Sequence, residues 1–199
     1  LFIFIFFLIN STYTAAYSKS FSDDLGIVSI MYHRFDENKY PSTNIKMKVF
    51  KEQINLIEKK NYEFYSPKNF DLEFANPKYD KKILITIDDG FSSFYKNAWP
   101  YLKSKKIPFI LFISTEPVGK FGYMTWEQIK EVEKEKFAFI GNHSHSHEYL
   151  TNYDFKKFKN DIDKSIKIFK EKIGYNPSFF SYPFGEYSLE QKKYISQNF

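Results

Sequence analysis

The chain has 199 residues and a formal net charge of +5, from 29 Lys and Arg against 24 Asp and Glu, and 21% of it is aromatic (24 Phe, 16 Tyr and 2 Trp). That much apolar surface suffices for one sizeable core and excludes disorder for most of the chain. Arg34 is the sole arginine and the lysines are spread from end to end, which argues against a clustered, guanidinium-rich nucleic-acid footprint, while zero Cys excludes disulfides, thiolate metal sites and cysteine nucleophiles.

Residues 1–9 form an uninterrupted apolar run, followed by small residues at Ala15 and Ala16. This pattern predicts a signal-peptide-like leader over residues 1–20, without a basic segment ahead of it. A buried N-terminal strand is the other reading of the run. A membrane span needs about 20 apolar residues, so contact with a membrane is expected only through an uncleaved leader. The expected location is secreted, periplasmic or cell-envelope.

No repeat or linker divides the remainder, which predicts one domain over residues 25–199. Short apolar runs predict strands at Ile27–Tyr32, Tyr62–Tyr65, Ile83–Ile87, Phe109–Ser114, Phe137–Ile140 and Ser178–Tyr182. Between them, Lys48–Lys60 carries Phe50, Ile54 and Ile57 on one helical face. Thr125 with Gln128 fits a capping box opening a helix through about Lys136. Asp154–Ile173 repeats apolar residues every three or four positions before Gly174, and a further helical-looking stretch precedes Gln197. Strand–helix alternation implies parallel strands and crossovers, in an open sheet or a closed barrel. There is no G-x-G-x-x-G or Walker A motif, so a (β/α) barrel with its site at the C-terminal strand ends is preferred.

Three segments carry the chemistry. Ile83–Ile87 runs straight into Asp88, Asp89 and Gly90. Adjacent carboxylates repel and resist desolvation unless a cation compensates or one takes a proton. The bland alternative is a turn at Asp89-Gly90 with Asp88 capping a helix that begins near Ser92. Next, His143, His145 and His147 hold three of the four histidines within five residues. Histidines at i and i+4 lie on one side of a helical turn and can bring two ring nitrogens to one metal. His143 and His147 have that spacing, which leaves His145 as a solvated bystander. The third segment ends a predicted strand at Tyr182, Pro183, Phe184 and Gly185. All three deliver polar or irregular residues where a barrel builds its site, and one Asp with two His leaves a fourth metal position open. His33 ends the first predicted strand and is read either as a substrate contact or as a structural, hydrogen-bonded residue.

With these residues in place the chain resembles the polysaccharide deacetylases of the NodB-homology group, carbohydrate esterase family 4. Thr86-Ile87-Asp88-Asp89-Gly90 matches T-F-D-D-G with Ile for Phe, His143-Ser144-His145-Ser146-His147 matches H-[ST]-x-x-H, and Ser181-Tyr182-Pro183-Phe184 stands in the place of R-x-P-Y. Ile30-Met31-Tyr32-His33 and Tyr40-Pro41-Ser42-Thr43 resemble the branch acting on poly-β-1,6-N-acetylglucosamine. The resemblance implies an α/β fold of the distorted, incomplete (β/α) barrel type, with C-terminal strands missing. It also implies that Asp88 is the general base and that Asp89, His143 and His147 are metal ligands. Tyr182, Pro183 and Phe184 would wall the acetyl pocket and present a backbone N–H to the oxyanion. The expected cofactor is a divalent metal, zinc first, with cobalt, nickel or iron as alternatives. The expected reaction removes N-acetyl groups from an N-acetylglucosamine-containing glycan. Two departures stand out: Ser181 replaces the motif arginine, and the motif that carries the family's general acid is expected beyond Phe199.

Two other functions compete. Two histidines and one carboxylate also form the facial triad of non-haem iron oxygenases, although those sites usually sit in antiparallel double-sheet barrels. A truncated glycan-binding module would instead use aromatics such as Tyr32, Phe91, Trp126 and Tyr182.

Overall fold

The alternation of apolar runs with amphipathic stretches becomes a parallel sheet flanked by helices in the computed structural model, which describes residues 26–70 and 81–199. The predicted leader over residues 1–20 lies outside the described residues. Strand β1 (Ile27–Tyr32) runs parallel to β5 (Lys82–Ile87) from Ile27 opposite Lys82 to Tyr32 opposite Ile87. Beyond β5 lie β6 (Phe109–Ile113) and β7 (Ala138–Asn142), giving the order β1-β5-β6-β7. Short β4 (Glu63–Phe64) pairs with Lys82 and Ile83, while β6 pairs with Ile85 to Ile87, so the two share the second edge of β5. Two further short strands, β2 (Arg34–Phe35) and β3 (Asn44–Ile45), pair with each other; the sequence had not suggested them.

Every ladder is parallel, and helices stand between β3 and β4, between β5 and β6 and between β6 and β7, with two more after β7. They are α1 (Met47–Lys59), α2 (Trp99–Lys105) after a π-helical turn at Phe94–Ala98, α3 (Trp126–Glu133), α4 (Phe155–Ile173) and α5 (Leu189–Ile195). The predicted capping box forms, with Gln128 N–H donating to Thr125 Oγ1 and Thr125 N–H to Gln128 Oε1. Asp154 caps α4 by accepting from Lys157 N–H at 2.7 Å, and left-handed Gly174 ends it.

The pleat divides the core. Ile83, Ile85 and Ile87 of β5 with Phe109, Leu111 and Ile113 of β6 face the helices and meet Phe50, Ile54, Ile129, Val132 and Phe169. Leu84, Ile110 and Phe112 point to the opposite face, where they meet Tyr65 and Phe179. β1 and β7 end the strand order and do not meet, so the described sheet is an incomplete barrel.

One predicted strand is corrected. Ser178–Tyr182 contributes a single bridge, Phe180 beside Asn142, with Asn142 N–H to Phe179 O at 2.8 Å and Ser181 N–H to Asn142 O at 3.0 Å. The ladder stops because β7 ends at Asn142 and its chain then turns through Ser144 at φ 70°. Pro183, with no N–H to donate, closes the other side.

Candidate metal centre

β5 carries the paired carboxylates to the C-terminal edge of the sheet, where Asp88 N–H donates to Tyr32 O at 2.9 Å. Asp89 (φ 74°) and Gly90 (φ 71°) then adopt left-handed backbone. Only the second is a glycine, and a Cβ there would sit 2.6 Å from the buried Ile113 Cδ1, which would have to shift to admit it. Asp89 therefore carries local strain of the kind that clusters at functional sites. Asp88 caps no helix. Its Oδ2 accepts from the Ser181 hydroxyl at 3.3 Å, while its buried Oδ1 has no hydrogen-bond partner.

The histidine segment follows β7. It is not the helical turn expected from i, i+4 spacing: Ser144 (φ 70°) and His147 (φ 55°) fold it into a loop with two left-handed residues. The convergence of His143 and His147 survives by another route, with their rings 5.0 Å apart. His143 Nδ1 lies 2.8 Å from Ser181 O, and a carbonyl only accepts, so the ring proton sits on Nδ1 and the Nε2 lone pair is free. His143 Nε2 lies 3.4 Å and His147 Nε2 2.9 Å from Asp89 Oδ1. One potential ligand atom from each of Asp89, His143 and His147 falls within 4.8 Å of the others.

His145 departs from expectation. It is buried rather than solvated, with its Nδ1 2.8 Å from Thr115 Oγ1, and it points away from the converging pair. Its burial pushes its pKa below the ordinary imidazole value.

The electrostatics favour a cation. Burial alone would raise Asp89, but interaction with His143 and His147 outweighs it and holds the carboxyl well below the usual carboxylate range. For His143, burial works against the charged form, yet Asp89 and Asp88 prevail and raise its pKa. Asp88 is different: burial raises its pKa, and His143, His33 and the Ser181 hydroxyl offset only part of that. Buried Asp88 Oδ1 lacks a hydrogen-bond partner, an omission that a bound cation and its water would repair. Two imidazole nitrogens and one carboxylate oxygen are the donor set of a catalytic zinc-type site with an open position.

The third segment supplies one wall. Pro183 is buried, and Phe184 (φ 60°) turns its ring outward against His147 at 5.2 Å and Tyr149 at 5.1 Å between centroids. The Tyr182 ring turns elsewhere, against Phe180 and Tyr187, so only its backbone is left to border the site. His33, half-buried after β1, is near enough for its charge to lower the Asp88 pKa. Of the aromatics considered as glycan contacts, Tyr32 and Phe91 are buried, and Trp126 packs edge-on against Phe169. Tyr32 donates to Gln53 Oε1 at 2.8 Å, and Phe91 lies under the Arg34 guanidinium at 3.4 Å.

Sequence reasoning missed the residues that hold the histidine loop, above all Asp161 and Ser165 on α4. A signal was present: both interrupt the apolar stripe Phe158, Ile162, Phe169 at helical spacing, and both are buried.

Comparison with known proteins bears on the fold and the family. The family model for polysaccharide deacetylase matches residues 75–198. A poly-β-1,6-N-acetyl-D-glucosamine N-deacetylase of Staphylococcus aureus is 25% identical over 171 residues, covering 79% of this chain and 59% of the relative. A peptidoglycan-N-acetylglucosamine deacetylase of Bacillus cereus is 30% identical over 128 residues, covering 63% of this chain and 45% of the relative. The chain thus spans about half the length of the curated relatives it matches. Among solved structures, IcaB from Ammonifex degensii superposes with a TM-score of 0.78 at 26% identity, covering 87% of this chain and 81% of that one. The Streptococcus pyogenes deacetylase PplD, in complex with acetate, shares the fold with a TM-score of 0.76 at 20% identity, covering 86% and 79%. A family match over more than half the chain, on a parallel sheet that ends in Asp88, Asp89, His143 and His147, leaves one conclusion: the chain belongs to the polysaccharide deacetylase family.

Proposed function

We propose that this protein removes N-acetyl groups from an N-acetylglucosamine-containing polysaccharide or oligosaccharide, using a divalent metal, zinc first, held by Asp89, His143 and His147. The observation that carries the reading is the convergence of those three ligand atoms within 4.8 Å beside a fourth group, Asp88, whose Oδ2 lies 4.0 Å from His143 Nε2. A divalent cation in that position supplies Lewis acidity and a water of lowered pKa. Asp88, bonded to Ser181 and raised in pKa by burial, accepts the proton as water oxygen adds to the acetyl carbonyl. Phe184 and the backbone from Tyr182 through Pro183 border the acetyl group on the His147 side and are read as the source of an oxyanion donor. When the C–N bond breaks, the departing amine needs a proton. The proton that Asp88 took from the water balances this step, and His33, half-buried near Asp88, is read as a substrate contact. The products are acetate and the free amine.

The names of the relatives, which concern poly-β-1,6-N-acetyl-D-glucosamine and peptidoglycan N-acetylglucosamine, support the substrate class. The leader pattern over residues 1–20 supports a secreted, periplasmic or cell-envelope location, where such glycans occur. An oxygenase is disfavoured by the parallel sheet. A non-catalytic glycan-binding role leaves Asp88 and its unpartnered oxygen without a purpose. The test is acetate release from β-linked N-acetylglucosamine oligomers, with and without chelation and zinc replenishment. His147→Ala is expected to lose both metal and activity, and undiminished acetate release by metal-stripped His147→Ala protein would refute the proposal.

A further inference from the structure

The loop that carries His143 and His147 is gripped from its far side by a carboxylate that the proposed chemistry does not use. Asp161 lies on α4 and is 8% exposed. Its Oδ1 accepts from His145 N–H at 2.8 Å and its Oδ2 from Ser146 N–H at 3.1 Å, so each oxygen is taken by one of two consecutive backbone donors between the two ligands. The rest of the loop is tied in the same manner. Asn142 Oδ1 accepts from Ser144 N–H at 2.9 Å, and Asn142 Nδ2 donates to Ser165 Oγ on α4 at 2.8 Å. Ser144 Oγ accepts from His147 N–H at 3.1 Å, and the Ser114 hydroxyl donates to His143 O at 2.7 Å.

These ties matter because the loop is strained. Ser144 and His147 both have positive φ, a conformation that ordinary side chains keep only where the surroundings hold it. We propose that Asp161 is a positioning residue for the metal centre: by bridging the His145 and Ser146 N–H groups it sets the separation of His143 and His147. This rests on reading Asp89, His143 and His147 as the metal ligands. The role requires a carboxylate. An amide would accept from one N–H and turn its own NH₂ toward the other, leaving a buried donor facing a donor.

The experiment titrates zinc into the metal-stripped full chain by calorimetry and records the melting temperature of each metal-free variant. Asp161→Asn is expected to weaken zinc binding about 10- to 100-fold, the range typical for residues that orient ligands from behind. Asp161→Glu, which keeps both acceptors, is expected to recover most of that affinity. Ile162→Val serves as the comparator: the next residue on α4, it packs in a separate apolar cluster with Leu150 and Phe158, and its loss of a methyl lowers stability without touching the loop. Unchanged zinc affinity in folded Asp161→Asn protein overturns the proposal. So does an equal loss of affinity in Ile162→Val, which would make the effect one of general stability. Should Asp161→Asn not fold, Asp161→Ser, with one acceptor on a shorter arm, is judged by the same criteria. Failure of the wild-type chain itself to bind zinc would instead overturn the metal-centre reading, and the positioning role with it.

Discussion

The two neighbouring aspartates offer the sharpest separation of roles. Asp89 Oδ1 lies 2.9 Å and 3.4 Å from the two imidazole nitrogens, at the point where the ligand atoms converge, whereas the Asp88 oxygen stands back at 4.0 Å from His143. Each is replaced by Asn, and the melting temperature is measured with and without zinc, so that the difference reports metal binding and not the cost of the substitution. At a zinc concentration of about 100 times the wild-type Kd, binding stabilises the folded chain by about 2.7 kcal/mol. For a chain of this size each kcal/mol moves the melting temperature by about 2–4 °C, so the expected rise is about 5–11 °C. On the proposed reading of Asp89 as a ligand, Asp89→Asn replaces an anion by a neutral amide. A hundredfold loss of affinity brings the same zinc concentration down to the variant's Kd, where the stabilisation is only about 0.4 kcal/mol and the rise about 1–2 °C. Asp88→Asn removes a nearby charge but no ligand. Even a tenfold weakening leaves about 1.4 kcal/mol, a rise of about 3–6 °C. Its acetate release, in contrast, should fall by about 10²- to 10⁴-fold, the contribution of a general base, or about 2.7–5.4 kcal/mol of barrier. Equal loss of the zinc-dependent shift in both variants would mean that the pair ligates jointly and the base lies elsewhere. An undisturbed shift and rate in both would reduce Asp88-Asp89-Gly90 to a turn.

Two further outcomes are expected. Gly90→Ala places a side chain at φ 71° with its Cβ 2.6 Å from the buried Ile113 Cδ1, so left-handed strain of about 1–2 kcal/mol adds to overpacking of about 1–3 kcal/mol; urea unfolding should show a loss of about 2–5 kcal/mol, and wild-type stability would contradict the backbone requirement. Ser181→Ala removes the hydroxyl that helps to keep Asp88 charged while leaving the backbone carbonyl that holds His143. The Asp88 pKa then rises further and the base is protonated at higher pH, so the acid limb of the kcat/KM profile should move to higher pH; a limb that stays in place or moves to lower pH would remove Ser181 from contact with the base.

Much of this protein is decided by local chemistry and is legible along the chain. Thr125 with Gln128, Asp154 at the start of α4 and Gly174 at its end act within one turn, and β1 coincides with its predicted bounds because Ile27–Tyr32 is an apolar run interrupted only by Ser29 and flanked by Gly26 and His33. The residue types at the site were equally legible, since paired carboxylates at a strand end and closely spaced histidines are chemically rare combinations. What depended on distant parts of the chain was not. The segment 178–182 has the composition of a strand but forms a bridge, because its partner β7 ends at Asn142. His145 differs from His143 and His147 only in which way it faces, and that direction follows from left-handed turns at Ser144 and His147 that no helical spacing rule anticipates. Those turns are held by Asn142 and by Asp161 and Ser165 of α4, which meet the loop only when the helix packs across β7. Sequence thus determines which donors exist, because ligand chemistry belongs to the side chain. Only the tertiary structure decides which of them converge, because convergence is a property of backbone held in place by residues far away in the chain.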